Sequence, residues 1–241
     1  MRNPKWERDE VILALNLYFD ENRGTIENTN PKIIELSEIL NQLPIHSSRP
    51  DEEKFRNPNG VTLKLGNFLA LDPNYAGKGM ESYSKLDESV FKEYYQNLTE
   101  LRNVADGIKS ITRSSVYSFE VAAVEADEEE DNAKEGKVLY KMHKVRERDK
   151  KIIAKKKAKV RLENGSLECE CCNFNFEKVY GHLGAGYIEC HHIVPLNKFS
   201  ETKKTTLEDL ALVCSNCHRM LHSRISEITV SELRKLLLNK V

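Results

Sequence analysis

Two Cys-x-x-Cys pairs constrain the fold of this chain more than any other feature. Cys169 and Cys172 form the first pair, and Cys214 and Cys217 form the second. Each pair can present two thiolates from one tight turn, and four thiolates make the closed tetrahedral site of a structural zinc ion. Such a site stabilises a segment that is too short to hold itself together by apolar packing alone. The spacing therefore predicts a compact, zinc-stapled unit near the C-terminus.

Composition limits the alternatives. The chain has 241 residues and 39% hydrophobic residues, enough for one or two domains with a core. Its net charge of −1 predicts no general affinity for polyanions. No apolar run is long enough for a membrane span, and the first residues, MRNPKWERDE, lack the apolar region of a secretory signal. We therefore expect no membrane association and a reducing, cytoplasmic compartment, where cysteines bind metal more often than they form disulfides. Cys171 and Cys190 are left out of the zinc site.

The segment 1–105 has the pattern of a mainly helical domain. Apolar residues recur at helical spacing over 6–20, from Pro31 to Leu43 and over 86–104. The stretch 61–71 combines alternation with a continuous apolar run, so the sequence alone does not decide between helix and strand there.

The middle of the chain, 106–165, has segregated charge. Residues 125–131 hold six acids, whereas 134–161 hold thirteen Lys or Arg against three acids. The basic block contains one Gly and no Pro, and its apolar residues have roughly helical spacing, which predicts a basic helical linker. This helix is either a solvated connector or an arm that contacts phosphates.

Four histidines near the cysteine pairs have the spacing that a second metal site needs. His191 and His192 are adjacent in a β-rich stretch, so their side chains point to opposite faces of a strand. His218 and His222 are four residues apart on a predicted helix and share one face. His191, His218 and His222 can hold one divalent cation (Mg²⁺, Mn²⁺, Co²⁺ or Ni²⁺), which leaves His192 to deprotonate water.

These motifs resemble a known family. The chain carries Cys-x-x-Cys, then His-His-Ile-Val-Pro-Leu, then Asp-Leu-Ala-Leu-Val-Cys-x-x-Cys-His-x-x-x-His. This order is similar to an HNH (ββα-metal) endonuclease, and it resembles the McrA-like, modification-dependent restriction endonucleases in particular. The resemblance implies that His192 is the general base and that His191, His218 and His222 bind the catalytic metal. Asp209 stands where relatives have an Asn that orients the base. Its alternative role is a turn or cap before the strand Leu210–Val213.

The N-terminal segment resembles the module that precedes the HNH domain in many predicted restriction proteins. The similarity lies in Phe-Arg-Asn-Pro-Asn-Gly-Val at 55–61, in 64–73 and in Gly-Lys-Gly at 77–79. Polar and glycine-containing loops beside aromatic residues suit phosphate and base contacts, although Asn-Pro-Asn-Gly also forms simple tight turns. The resemblance implies that this N-terminal domain recognises DNA. We predict that it contacts DNA through Arg56, Asn57, Asn59 and Lys78, and that Arg219, next to His218, contacts a phosphate near the metal site.

The sequence as a whole predicts an α+β protein: a mainly helical N-terminal domain (1–105), a basic helical linker (106–165) and a zinc-stapled HNH domain with a C-terminal helix (166–241). The expected function is metal-dependent cleavage of double-stranded, modified DNA, by a homodimer where both strands are cut. Two alternatives stay open: an HNH nuclease without modification dependence, of homing, phage or repair type, and a non-catalytic zinc module that binds nucleic acid.

Overall fold

The computed structural model describes residues 2–77, 79–80, 82–113, 115–124, 136–147, 149–193, 205–223 and 228–239. The chain forms two compact units. The first contains the described residues up to 124 together with 136–141, and the second contains the described residues from 142 onward. Lys78 and the acidic block 125–131 lie outside the described residues.

The first unit is helical in all its described elements, as the sequence predicts. The helices are α1 (Arg8–Tyr18), α2 (Pro31–Gln42), α3 (Pro58–Leu69), α4 (Lys85–Tyr94), α5 (Leu98–Arg113), α6 (Ser115–Ala122) and the start of α7 (Lys137–Glu147). Helix α1 lies at the centre and packs against α2, α3, α4 and α5. Its continuous apolar run from Val11 to Leu15 is buried on all sides, because α1 is enclosed rather than amphipathic.

The N-terminus of α7 is held by a buried carboxylate of α1. Asp9 Oδ2 accepts a hydrogen bond from the backbone N–H of Lys137 (2.8 Å), and Oδ1 accepts one from Val138 (3.0 Å). Gly136 has a φ of 92°, and a Cβ there would collide with the Asp9 carboxylate. Burial raises the pKa of Asp9 to about 6, although both backbone N–H groups favour the charged form.

The second unit contains a two-stranded sheet among five helices within its described part. Strand β1 (Glu189–His192) pairs antiparallel with β2 (Leu210–Val213), with Glu189 opposite Val213 and His192 opposite Leu210. A short 3₁₀ turn precedes β2. The helices are α8 (Lys150–Asn164), α9 (Phe176–Tyr180), α10 (Ser215–Ser223), α11 (Val230–Leu238) and the end of α7.

The two faces of this sheet pack against different elements. Residues directly opposite each other share a face, so Cys190, Leu212, His192 and Leu210 lie on one side. That side belongs to a cluster against which Ile152, Ile153 and Val160 of α8 pack, with these buried members: Leu167, Ile188, Cys190, Leu210 and Leu212. The other side joins a cluster that contains four cysteines and the apolar residues of α10 and α11: Cys169, Cys171, Ala211, Val213, Cys214, Cys217, Leu221, Val230 and Leu233.

The stretch 106–165, which the sequence predicts as a charged helical linker, contributes helices to both units. Helix α5 continues to Arg113 with Ile108 and Ile111 in the first core. Helix α8 packs on the sheet of the second unit. The basic stretch is therefore helical, as predicted, but its C-terminal part is a structural layer of the second unit. None of the described helices combines the length and apolar character that crossing a bilayer demands.

Candidate metal centres

The four predicted zinc ligands lie together. Cys169 and Cys172 lie on the turn before α9, and Cys214 and Cys217 lie at the start of α10. Their sulfur atoms all lie within 4.8 Å of one another, and Cys172 Sγ is 3.7 Å from Cys214 Sγ. A tetrahedral zinc ion with Zn–S bonds of about 2.3 Å places its sulfurs about 3.8 Å apart. The cluster therefore fits a Cys₄ zinc site.

The neighbouring thiol of Cys171 contacts both this cluster and α11, since it interacts with the thiols of Cys169 and Cys217. Cys171 is fully buried, and its Sγ lies 3.8 Å from the carbonyl oxygen of Val230, the first residue of α11. It therefore helps to pack α11 against the cysteine turn, in line with its omission from the predicted ligand set.

Three histidines form a second cluster, where the sheet meets α10. His191 comes from β1, and His218 and His222 come from successive turns of α10. Their ligand atoms lie within 4.8 Å of one another, and the two Nε2 atoms on α10 are 3.1 Å apart. Metal–nitrogen bonds of about 2.1 Å place neighbouring ligand nitrogens about 3.0 to 3.4 Å apart. The donor set therefore fits one divalent cation, with room in its coordination shell for other ligands.

A carboxylate supports this cluster from the same face of β1. Glu189 Oε2 lies 2.5 Å from His218 Nδ1, and Glu189 Oε1 accepts a hydrogen bond of 2.5 Å from Ser215 Oγ. A proton on Nδ1 leaves the Nε2 lone pair of His218 available to a metal, and the carboxylate increases the basicity of that nitrogen. Sequence reasoning missed Glu189, although its position two residues before His191 places both side chains on one face of a strand.

His192 lies on the opposite face of β1 from His191, as the sequence predicts, and its side chain is buried, with 3% exposure. The next residue, Ile193, donates its backbone N–H to the carbonyl oxygen of Asp209 (2.8 Å). Asp209 is buried and its Oδ2 accepts hydrogen bonds from the backbone N–H and the hydroxyl of Thr206, both 2.8 Å. Asp209 thus caps the 3₁₀ turn before β2 and aligns the end of β1.

The predicted DNA contacts in the first unit have structural roles. Arg56 is buried, makes two hydrogen bonds to the Glu10 carboxylate (2.6 and 2.8 Å) and lies 4.7 Å over the Trp6 ring. Asn57 caps α3 by accepting the N–H of Gly60 (2.9 Å).

The other predicted contacts differ in exposure and surroundings. Asn59 Oδ1 accepts a hydrogen bond from Asn28 (2.6 Å). Arg219 is exposed on α10, next to His218. Arg219 is therefore placed where it can reach DNA, whereas the buried Arg56 is not.

Comparison with known proteins identifies a family for part of the chain. Residues 169–224 match the family model described as HNH endonuclease. The match covers less than a quarter of the chain and contains both the cysteine and the histidine clusters. No curated protein and no solved structure matched the chain.

Proposed function

We propose that this protein is a metal-dependent endonuclease that hydrolyses phosphodiester bonds of double-stranded DNA. The observation that carries the proposal is the convergence of His191, His218 and His222 on one point, within the stretch that matches the HNH endonuclease model. The cysteine cluster supports it, because a metal held there would join the turn 169–172 to the start of α10, the helix that carries His218 and His222.

Each side chain of the site has a definite task in this mechanism. His191, His218 and His222 would hold the cation, and Glu189 would keep the proton of His218 on Nδ1. A divalent cation at this site would neutralise charge on the scissile phosphate and on the leaving oxygen. A ring nitrogen of His192 would accept the proton of the attacking water.

Asp209 would act as a positioning residue. Its backbone carbonyl holds the N–H of Ile193, and its side chain closes the turn before β2. In this arrangement the backbone on both sides of His192 is fixed by the β1–β2 ladder and by Asp209.

We further propose that the enzyme is a restriction nuclease that acts on modified DNA, such as methylated or hydroxymethylated cytosine. The support is the sequence resemblance of 55–79 to modules that precede HNH domains in restriction proteins. A single HNH site cuts one strand, so cleavage of both strands calls for two copies, and we propose a homodimer for that step.

The test is plasmid cleavage with Mg²⁺, Mn²⁺, Co²⁺ or Ni²⁺, on methylated, hydroxymethylated and unmodified DNA, with His192→Ala as the matched variant. We expect cleavage of modified DNA by the wild-type protein and a loss of at least 100-fold in the variant, as for removal of a general base. Equal cleavage of all three DNAs would leave an HNH nuclease without modification dependence. Binding of DNA without cleavage under any condition would indicate a non-catalytic zinc module instead.

A further inference from the structure

Helix α8 is anchored on the nuclease unit by one of its faces. Ile152, Ile153 and Val160 pack against the sheet face that carries Cys190 and His192. Two lysines fasten its middle, since Lys156 Nζ donates to the carbonyl of Leu207 (3.2 Å) and Lys157 Nζ to that of Gly186 (3.0 Å). Leu207 precedes β2 and Gly186 precedes β1. Because the strands are antiparallel, the two hydrogen bonds attach α8 to opposite ends of the sheet.

The outer face of α8 is strongly basic and is neutralised over its C-terminal half alone. The helix contains seven Lys or Arg and one acid. Lys159 pairs with Glu208 (3.1 Å), and Arg161 pairs with Glu177 (2.7 Å). In the N-terminal half, the exposed ammonium groups of Lys150, Lys151 and Lys155 form no ion pair with any described residue. Asp149 is the acid next to them, and its side chain caps the helix.

The anchoring bonds also connect α8 to the end of β1 where cleavage is proposed. Leu207 lies in the 3₁₀ turn that Asp209 ends, and the Asp209 carbonyl binds the residue after His192. Lys155 precedes Lys156, whose Nζ reaches that turn. Lys151 lies one turn further, which is a rise of about 6 Å. The basic face therefore lies on the helix that binds the turn before β2, and it extends along α8 from Lys155 to Lys150.

We infer that Lys150, Lys151 and Lys155 form a surface that binds the phosphate backbone of double-stranded DNA next to the cutting site. This inference rests on the proposed function, since it assigns a binding surface to the same nuclease unit. Ile152, Ile153 and Val160 of α8 pack against the sheet, and Leu162 is the one large apolar side chain of the helix that is exposed, so α8 has no continuous apolar face to insert into a lipid surface. A row of exposed cations that pair with no described acid, on a helix held against the sheet, suits an extended, regular polyanion.

The experiment compares DNA binding by the full-length protein and by Lys151→Gln/Lys155→Gln, without catalytic cation, as a function of KCl concentration. Each phosphate contact contributes about 0.9 to the slope of log K against log salt. The double variant should therefore lose about 1.8 of that slope, and its loss of affinity between 50 and 200 mM KCl should be about tenfold smaller. Gln preserves helix propensity, and Lys151→Arg/Lys155→Arg should keep the wild-type slope.

The matched control is Lys178→Gln/Lys235→Gln, which removes two exposed lysines from α9 and α11 of the same unit. An equal change of slope in both double variants, or no change in either, would overturn the inference. So would an absence of DNA binding by the wild-type protein, or an effect of the α8 variant on anionic vesicles alone. Cleavage with an unchanged slope would reject the α8 surface and keep the nuclease. A reduced slope in a protein that never cleaves would keep the α8 surface and reject the proposed nuclease.

Discussion

Replacing Glu189 tests whether the histidine cluster is a metal site and how the chain tunes it. The carboxylate lies 2.5 Å from His218 Nδ1, and loss of such a supporting partner typically lowers metal affinity 10- to 100-fold. Those factors correspond to about 1.4 to 2.7 kcal/mol. Glu189→Gln keeps an oxygen that can accept a hydrogen bond from Nδ1–H of His218 but removes the negative charge, so we expect about a tenfold loss of metal affinity. Glu189→Ala removes the acceptor as well, so we expect about a 100-fold loss.

The assay is the DNA cleavage rate as a function of Mn²⁺ or Co²⁺ concentration, with zinc content measured in parallel. We expect the half-saturating metal concentration to rise by the factors above, while the rate at saturating metal changes little. Ser215→Ala is the control, because it removes the hydroxyl that supports the other carboxylate oxygen of Glu189. Water can replace that hydroxyl at a side chain that is 36% exposed, so we expect less than a threefold change.

Two results would refute this reasoning. An unchanged half-saturating concentration in Glu189→Ala would mean that His218 does not bind the catalytic metal or does not need the carboxylate. A reduced maximal rate at an unchanged half-saturating concentration would place Glu189 in the reaction itself. Loss of zinc together with activity would show that the variant damages the cysteine cluster, and the remaining zinc-loaded fraction would then have to be assayed.

Three further predictions concern stability. Cys214→Ser should abolish zinc binding and the cooperative melting of the second unit, because binding energies of about 10 kcal/mol or more are coupled to folding at such sites; an unchanged melting curve would contradict the staple. Arg56→Ala should lower the free energy of unfolding by about 3 to 5 kcal/mol in urea titrations, because it removes the guanidinium that pairs with the buried Glu10 carboxylate, whereas Lys92→Ala at a fully exposed pair should leave that free energy nearly unchanged. Burial raises the pKa of Asp9 to about 6 from an ordinary 3.8, so the folded state favours the neutral carboxyl. The contribution of Asp9 to the free energy of unfolding is therefore fully present below pH 3.8 and is lost as the pH rises through about 6. The difference corresponds to about 3 kcal/mol, and Asp9→Asn should remove that part of the pH dependence; a parallel pH profile in the variant would contradict it.

The ligands of the site were predictable from the sequence because their spacing reflects local geometry. A Cys-x-x-Cys pair fits one turn, and positions 218 and 222 share a helix face whatever the rest of the chain does. Alternation along a strand likewise separates His191 from His192. These relations hold within a few residues, whereas the meeting of the two cysteine pairs, and of His191 with the two helix histidines, depends on the tertiary structure.

The role of Arg56 was not predictable in the same way. Its partner, Glu10, is 46 residues away along the chain, and their pairing depends on how α1 packs against the segment before α3. An Arg in a polar, glycine-containing motif has the sequence pattern of a phosphate contact and of a buried ion pair alike. Packing alone decides between the two.

Helix boundaries show the same division between local and non-local signals. The apolar pattern of residues 61–71 did not distinguish a helix from a strand. The residues before them did carry a helix signal, because Asn57 is the N-cap of α3 and Pro58 is its first residue. The predicted helix over 86–104 is two helices, α4 and α5. Asn97 accepts the N–H of Glu100 (3.3 Å) at the start of α5, so an Asn followed three residues later by Glu was the missed signal.

The small sheet of the second unit explains why a basic helix outside the matched stretch packs into the same unit as that stretch. One face of β1 directs His191 and Glu189 toward α10 and the cysteine staple, and the other directs His192 toward the layer that α8 covers. A two-stranded sheet with a single covered face would leave the second apolar face in water, where such a sheet is marginal at best. Residues 169–224 alone should therefore expose Leu210 and Leu212, and a fragment that begins after α8 should bind zinc yet aggregate or melt early. A fragment that retains 149–241 should melt cooperatively, and equal melting of the two fragments would show that α8 is dispensable to the fold.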